Sequence, residues 1–135
     1  MARILSIQST VLNDLVGNQA ARSILKPLKH NLIEVPTIIL TSHKGQKSSL
    51  QIHPNELNIS KIFNNVRTTY GIKKSDLTII GYLPSKKSAK HISHIMKTQI
   101  SILLDPVIGD IGIGMYVDSS VAKYFQNIFT KTKFR

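Results

Sequence analysis

The chain of 135 residues contains no cysteine. Disulfides, zinc-thiolate centres and cysteine nucleophiles are therefore excluded. Carboxylates are scarce, with 7 Asp and Glu against 18 Lys and Arg, so the formal net charge is +11. No apolar run approaches the ~20 residues of a membrane-spanning helix. The opening Met1–Ile7 carries too short an apolar run for a signal sequence and no Ala-x-Ala site, so the expectation is a cytoplasmic protein with no membrane partner. Repeats, low-complexity tracts and internal linkers are missing as well. So is a Gly-x-x-x-x-Gly-Lys-Ser/Thr phosphate loop. The glycine-rich Gly109-Asp110-Ile111-Gly112-Ile113-Gly114 does not fit a Gly-x-Gly-x-x-Gly fingerprint either.

What is present suits one folded domain. The length allows a real core, and the hydrophobic fraction of 41% is ordinary for a globular chain. The positive charge raises the possibility of a nucleic-acid partner. The lysines are scattered, however, from Lys26 to Lys97, and the one terminal cluster is Lys131, Lys133 and Arg135. With no recognition motif and no aromatic stacking platform, a solvated lysine-rich surface is the favoured reading.

Strand and helix patterns alternate. Ile4–Ile7 reads as a short strand followed by a loop over 8–16. Gly17-Asn18 opens a helix with Ala20, Ala21, Ile24, Leu25 and Leu28 on one stripe, and Asn18 is the expected cap. Two extended pieces, 32–35 and 37–41, are separated by Pro36. A polar loop over 42–53 has the length and composition of a functional flap. Pro54-Asn55 begins a helix with Ile59, Ile62, Phe63, Val66 and Tyr70 on one face, stopped by Gly71. Leu77–Gly81 is a buried strand. Ser85 starts a helix with Ala89, Ile92, Ile95 and Met96 inward. His91 and His94 share that helix at a metal-ligand spacing, but with no third ligand they read as exposed histidines. A final helix carries Val121, Ala122, Phe125, Ile128 and Phe129. This alternation predicts an α/β fold, a doubly wound and mostly parallel sheet with flanking helices.

The most informative stretch is Leu103-Leu104-Asp105-Pro106-Val107-Ile108-Gly109-Asp110. The apolar run 100–104 reads as a buried strand that ends in Asp-Pro. Ligands of open α/β sheets bind just past the carboxyl ends of the strands, so Asp105 is delivered to such a place. Together with Asp110 it offers hard oxygen ligands for a magnesium ion or its waters, which suggests a phosphate-bearing ligand. A turn closed by Asp105 and a segment capped by Asp110 explain the same spacing.

These residues also carry a resemblance. Ser6-Ile7-Gln8-Ser9 followed by Val16-Gly17-Asn18-Gln19-Ala20-Ala21 resembles the opening of pyridoxal kinases, a branch of the ribokinase superfamily. Ser42-His43, Gly81-Tyr82-Leu83, Asp105-Pro106-Val107-Ile108-Gly109-Asp110 and Gly114-Met115-Tyr116-Val117 follow in matching order and spacing. The similarity runs from Ile4 to about Phe125 and concerns the N-terminal half of the kinase, so residues 1–135 are expected to form the N-terminal part of a ribokinase-like domain.

The resemblance implies ATP-dependent phosphorylation of the 5′-hydroxyl of pyridoxal, pyridoxine or pyridoxamine, with Mg2+. By position, Ser9 would bond the pyridine ring and Val16 would lie against it. Lys44 and Gly45 would close over the substrate, and Tyr82 would flank the pocket. Asp105 and Asp110 would lie by the ATP phosphates and the metal. The family's Gly-Thr-Gly-Asp segment, which holds the catalytic base, has no counterpart here, so impaired turnover and a truncated sheet are expected. The chain departs from the pattern at Thr10, often His in the family, and at Asp14, where the family has glycine. In the flap, Thr41-Ser42-His43-Lys44-Gly45-Gln46 replaces Ser-Asn-His-Thr-Gly-Tyr. Alternatives are a non-catalytic module for a B6 vitamer, half of a split kinase completed by a C-terminal chain or by a second copy, and a basic nucleic-acid-binding protein.

Overall fold

In the computed structural model of the chain, residues 1–43, 48–52, 57–71, 75–99 and 101–131 are described. Five strands form the main sheet: β1 (Arg3–Val11), β2 (Asn31–Leu40), β3 (Gln51–Ile52), β4 (Leu77–Ile80) and β5 (Ile102–Leu104). Their order is β3-β2-β1-β4-β5. The β2, β1, β4 and β5 strands run parallel, and β3 adds antiparallel to the outer edge of β2. Two short strands, β6 (Gly109–Asp110) and β7 (Gly114–Met115), form a separate antiparallel hairpin. The helices are α1 (Asn18–Leu25), α2 (Ile59–Thr69), α3 (Lys86–Met96) and α4 (Ser119–Lys131). None of the described helices is long and apolar enough to cross a membrane.

The connections explain the layers. β1 passes through α1 to β2 on one side of itself, and the chain then returns through α2 to β4 on its other side. Because parallel crossovers are right-handed, this reversal puts α1 and α2 on opposite faces of the sheet. α3 joins α2, and α4 packs beside α3. The expected doubly wound, mostly parallel architecture is therefore what the chain forms.

β1 is the central strand and is longer than the apolar pattern 4–7 suggests. Pairing with β2 carries it through to Val11, and Ser6, Gln8 and Ser9 are buried along with Ile4, Leu5 and Ile7. Leu5, Ile7 and Val11 join Val35, Ile38, Ile80, Ile92, Val121 and Phe125 in the main core. The opposite side of β1 is polar, with Ser6, Gln8 and Thr10 alternating along it. Asn18 meets that side, fully buried. Its Oδ1 accepts from Ser6 Oγ at 2.7 Å, and its Nδ2 donates to the Gln8 carbonyl and to Thr10 Oγ1, both at 3.1 Å. Gln8 Nε2 donates to Ser6 Oγ at 2.9 Å. Asn18 is thus not the helix cap. Gly17 occupies the cap position with no side-chain bond, and Asn18 turns inward instead.

Other sequence expectations are corrected by packing. Pro36 does not split the second extended region, because β2 runs straight through it. β1 pairs with β2 up to and beyond Pro36, which stands opposite Gln8. A register shift between Gln8 and Thr10 absorbs the irregularity. The α1 stripe is only partly used, since Ile24 and Leu28 are exposed. α2 begins at Ile59, where Asn58 Oδ1 accepts from the Lys61 N–H at 2.9 Å. The proposed start at Pro54-Asn55 lies outside the described residues. Tyr70 is exposed rather than inward. β5 forms the sheet's edge, not a buried strand, and Leu103 is 54% exposed. Phe125 is buried in the core, Ile128 is half-buried and Phe129 is 40% exposed. His94 is exposed, but His91 is half-buried with an unbonded Nδ1, and burial lowers its pKa.

Two outcomes follow from this packing. Asn18→Leu removes all three bonds, taking the acceptor from the Ser6 hydroxyl and the side-chain donor from the Gln8 carbonyl and Thr10 Oγ1. Urea denaturation should show a loss of about 2 kcal/mol or more. At the start of α4, Asp118 accepts from the Ser120 hydroxyl and from the N–H groups of Ser120 and Val121, and these bonds hold its pKa below the ordinary aspartate value. A carboxylate with a depressed folded pKa contributes stability above its unfolded pKa and loses it as pH falls through the folded one. Acid melts below the ordinary aspartate range should therefore be less steep in Asp118→Asn than in the parent chain.

Candidate functional site

The reversal of strand order at β1 opens a crevice beyond the carboxyl ends of β1 and β4, the place where open α/β sheets bind ligands. A cleft of about 340 Å³ lies there, within the size range of small-molecule sites. Its apolar walls include Val11, Leu15, Val16, Leu40 and Val107. Its polar groups are Gln8 and Ser9 from β1, His43 beyond β2, Tyr82 beyond β4, Asp105 beyond β5, and Tyr116 after β7.

Close backbone approach shapes the floor. Gly17 has a φ of 56°, and a Cβ there would stand 2.3 Å from the Ser9 carbonyl oxygen, so only glycine lets the start of α1 pass this near to β1. Gly81 plays a similar part beyond β4, where a Cβ would meet Gln8 Oε1 at 2.6 Å. Ser9 is buried at the bottom of the cleft, and its hydroxyl has no partner among the described residues.

The rim is cross-linked. Tyr82 OH donates to the Tyr116 carbonyl at 3.2 Å, and the Tyr82 carbonyl accepts from the buried Thr37 hydroxyl at 2.7 Å. Tyr116 stacks edge-on against His43, with centroids 5.7 Å apart. Its hydroxyl donates to the Asp110 carboxylate, and this bond raises the Tyr116 pKa above the ordinary phenol value. On the opposite side, the loop after β1 is tied to the end of β2. Asn13 Nδ2 donates to the Thr41 carbonyl at 2.8 Å, and Asp14 accepts from the His43 N–H at 2.7 Å.

Of the sequence-derived site residues, Ser9, Val16, Tyr82 and Asp105 all line this one cleft. Asp110 does not line it. It stands on the exposed β6–β7 hairpin and reaches the cleft only through Tyr116. Lys44 and Gly45 lie outside the described residues. Gln8, His43 and Tyr116 enter the site without having been singled out as ligand contacts. Ser42-His43 and Tyr116 stood in the resembling segments, and that was the one available signal. Among the described residues, no group of three or more His, Asp or Glu could hold a metal ion by itself.

The chain has a doubly wound, mostly parallel α/β fold with a cleft at the strand-order reversal. Among proteins of known name, the chain is similar to a Saccharomyces cerevisiae protein called "Putative pyridoxal kinase", at 28% identity over 97% of this chain and 43% of that protein. The solved pyridoxal kinase of Entamoeba histolytica, in a structure with PLP, superposes with a TM-score of 0.81 at 24% identity, covering 95% of this chain and 48% of that one. Pyridoxal kinase from Leishmania donovani, in complex with ADP and pyridoxamine, superposes at 0.74 with 21% identity over 96% of this chain and 48% of that one. No family model matches the chain. The chain spans less than half the length of each of these proteins.

The bond from His43 to Asp14 predicts a graded outcome. Asp14→Ala frees the start of the 42–53 loop, while Asp14→Asn keeps an acceptor oxygen. Hydrogen exchange of the His43 amide should speed up by roughly tenfold in the first variant and much less in the second.

Proposed function

We propose that these residues form the vitamer-binding half of a pyridoxal-kinase-like phosphotransferase. The observation that carries this reading is Ser9 on the lining of an apolar cleft at the strand-order reversal, its hydroxyl without a partner among the described residues. A flat heteroaromatic ring needs apolar walls and one or two polar groups to fix its orientation. Val16 and Leu40 supply the walls, Ser9 the hydrogen bond to the ring, and Tyr82 the flank. In the same reading Lys44 and Gly45 close over the ring.

ATP is the proposed phosphoryl donor, with Mg2+. The exposed Asp105 at the cleft fits the donor set of such an ion, which takes one or two carboxylates and keeps waters and substrate phosphates as its other ligands. When bound, the ion neutralises charge on the transferring group. Asp105 would hold its waters, and Asp110 would hold Tyr116 in place rather than the metal. Transfer also needs a base for the substrate hydroxyl and donors for the moving charge. The resemblance assigns both to a segment outside residues 1–135, which makes this stretch the N-terminal part of the domain. These residues alone should bind a vitamer without phosphorylating it. A cytoplasmic setting belongs to the same proposal.

One observation favours completion by further chain, whether covalently continuous, a separate C-terminal half or a second copy. The β5 edge exposes Leu103, and the hairpin beside it exposes Ile111, Ile113 and Met115. Edges with such residues invite pairing.

A thermal melt with pyridoxine tests the binding reading. Saturating pyridoxine should raise the transition of the parent chain. Ser9→Ala should melt at nearly the same temperature without ligand and bind roughly tenfold more weakly. A parent transition unmoved by saturating pyridoxine overturns the assignment of this cleft.

A further inference from the structure

The positive charge is not spread as evenly in space as it is along the sequence. α3 carries Lys86, Lys87 and Lys90, α4 carries Lys123 and Lys131, and neither helix contains an Asp or Glu. The two helices pack side by side, on the sheet face opposite α1. Between them lies a groove of about 360 Å³, away from the cleft at the strand ends. Lys86, Lys90 and Lys123 line it, with Ser93, Tyr124 and Asn127 between them. Ser93 Oγ and Tyr124 OH share one hydrogen bond of 2.8 Å. Ser93 Oγ also lies 3.2 Å from the Ala89 carbonyl, to which it donates, so the pair is tied to the helix backbone. The nearest carboxylate is Asp118, already committed to Ser120 and Val121 at the start of α4, and Lys86 contributes to lowering its pKa. Lys90 and Lys123 have no ion-pair partner among the described residues.

Local stability does not account for this arrangement. Lys86 and Lys87 stand in the first turn of α3, where the helix dipole disfavours cations. Lysines gathered around one groove also repel each other unless an anion comes between them. Asp118 offsets the charge of Lys86 in part, and the repulsion that remains with Lys90 and Lys123 is what a bound anion would relieve.

We infer that the α3–α4 groove is a binding site for a small phosphate-bearing anion, held by Lys86, Lys90 and Lys123 with the Asn127 amide beside them. The volume suits a compact oligophosphate and is too small for a polymer, and the groove offers no row of aromatic rings for stacked bases.

The test is calorimetric titration of the 135-residue chain with inorganic tripolyphosphate. Two variants lose equal charge in different places: Lys90→Gln with Lys123→Gln in the groove, and Lys26→Gln with Lys29→Gln at the far end of α1. A saturable one-to-one isotherm is expected, weakened at least about tenfold by the groove pair and nearly unchanged by the α1 pair. Equal weakening by both pairs would reduce the effect to net charge and overturn the site. So would tight binding of a single-stranded oligonucleotide with none of tripolyphosphate, which would make the face a nucleic-acid surface. Because both pairs lie on exposed or half-buried helix and turn positions, their melting temperatures should match the parent's.

Discussion

The buried amide of Asn18 joins the two parts of the chain on which the rest of the structure depends. Its three bonds fix the start of α1 against the carboxyl-terminal part of β1. β1 is the central strand, so whatever is fixed to it is fixed to the whole sheet. The contact also sets the depth of the cleft. With Asn18 drawn inward, Gly17 is pressed against Ser9 at a distance no side chain would tolerate. Ser9 therefore lies at the bottom of a cavity, not on an open strand end. A polar network is a costly way to pack a helix on a strand, because each member must find a partner. Here Ser6, Gln8, Thr10 and Asn18 do, and they hold one arrangement where an apolar contact could slide.

The architecture was legible because its signals are local and repeated. Apolar runs for β1 and β4, the inward stripe of α3 and the stop at Gly71 all follow from periodicity and backbone chemistry. The misreadings arose where a neighbour in space decides the outcome. Gln8 and Thr10 look like loop residues, yet β2 pairs with them and their side chains are hydrogen-bonded. Pro36 looks like a break, but whether it interrupts a strand depends on which side the next strand lies. Asn18 sits at a good capping position and is used for something else, since a buried carbonyl and two hydroxyls compete for it more strongly than the helix terminus does. Leu103 reads as core because apolar residues usually are, and the order of strands in the sheet is what leaves it at an edge.

The site was legible to a lesser degree, and the two aspartates show why. Spacing treated Asp105 and Asp110 as a pair. In the fold they are placed differently: Asp105 lines the cleft, and Asp110 is bound to Tyr116 on the hairpin. A side chain's direction after a turn is not encoded in its distance along the chain. Likewise, Asp14 looked like an intrusion where a glycine was expected. Its carboxylate instead accepts the His43 N–H and fixes the ring that meets Tyr116.

Charge distribution links the two candidate sites. α3 and α4 carry five lysines and no carboxylate, while Asp105, Asp110 and Asp118 all follow β5. With a net charge of +11 the molecule as a whole attracts anions. At the cleft, however, an arriving phosphate meets Asp105. A bare phosphate is repelled there at short range, whereas one that carries its own divalent cation is not. In the α3–α4 groove the balance is the opposite, because lysines line it and no carboxylate does. On the two proposals, the same long-range field draws phosphates to both places, and the local sign of charge sorts them, metal-complexed at the cleft and free at the groove.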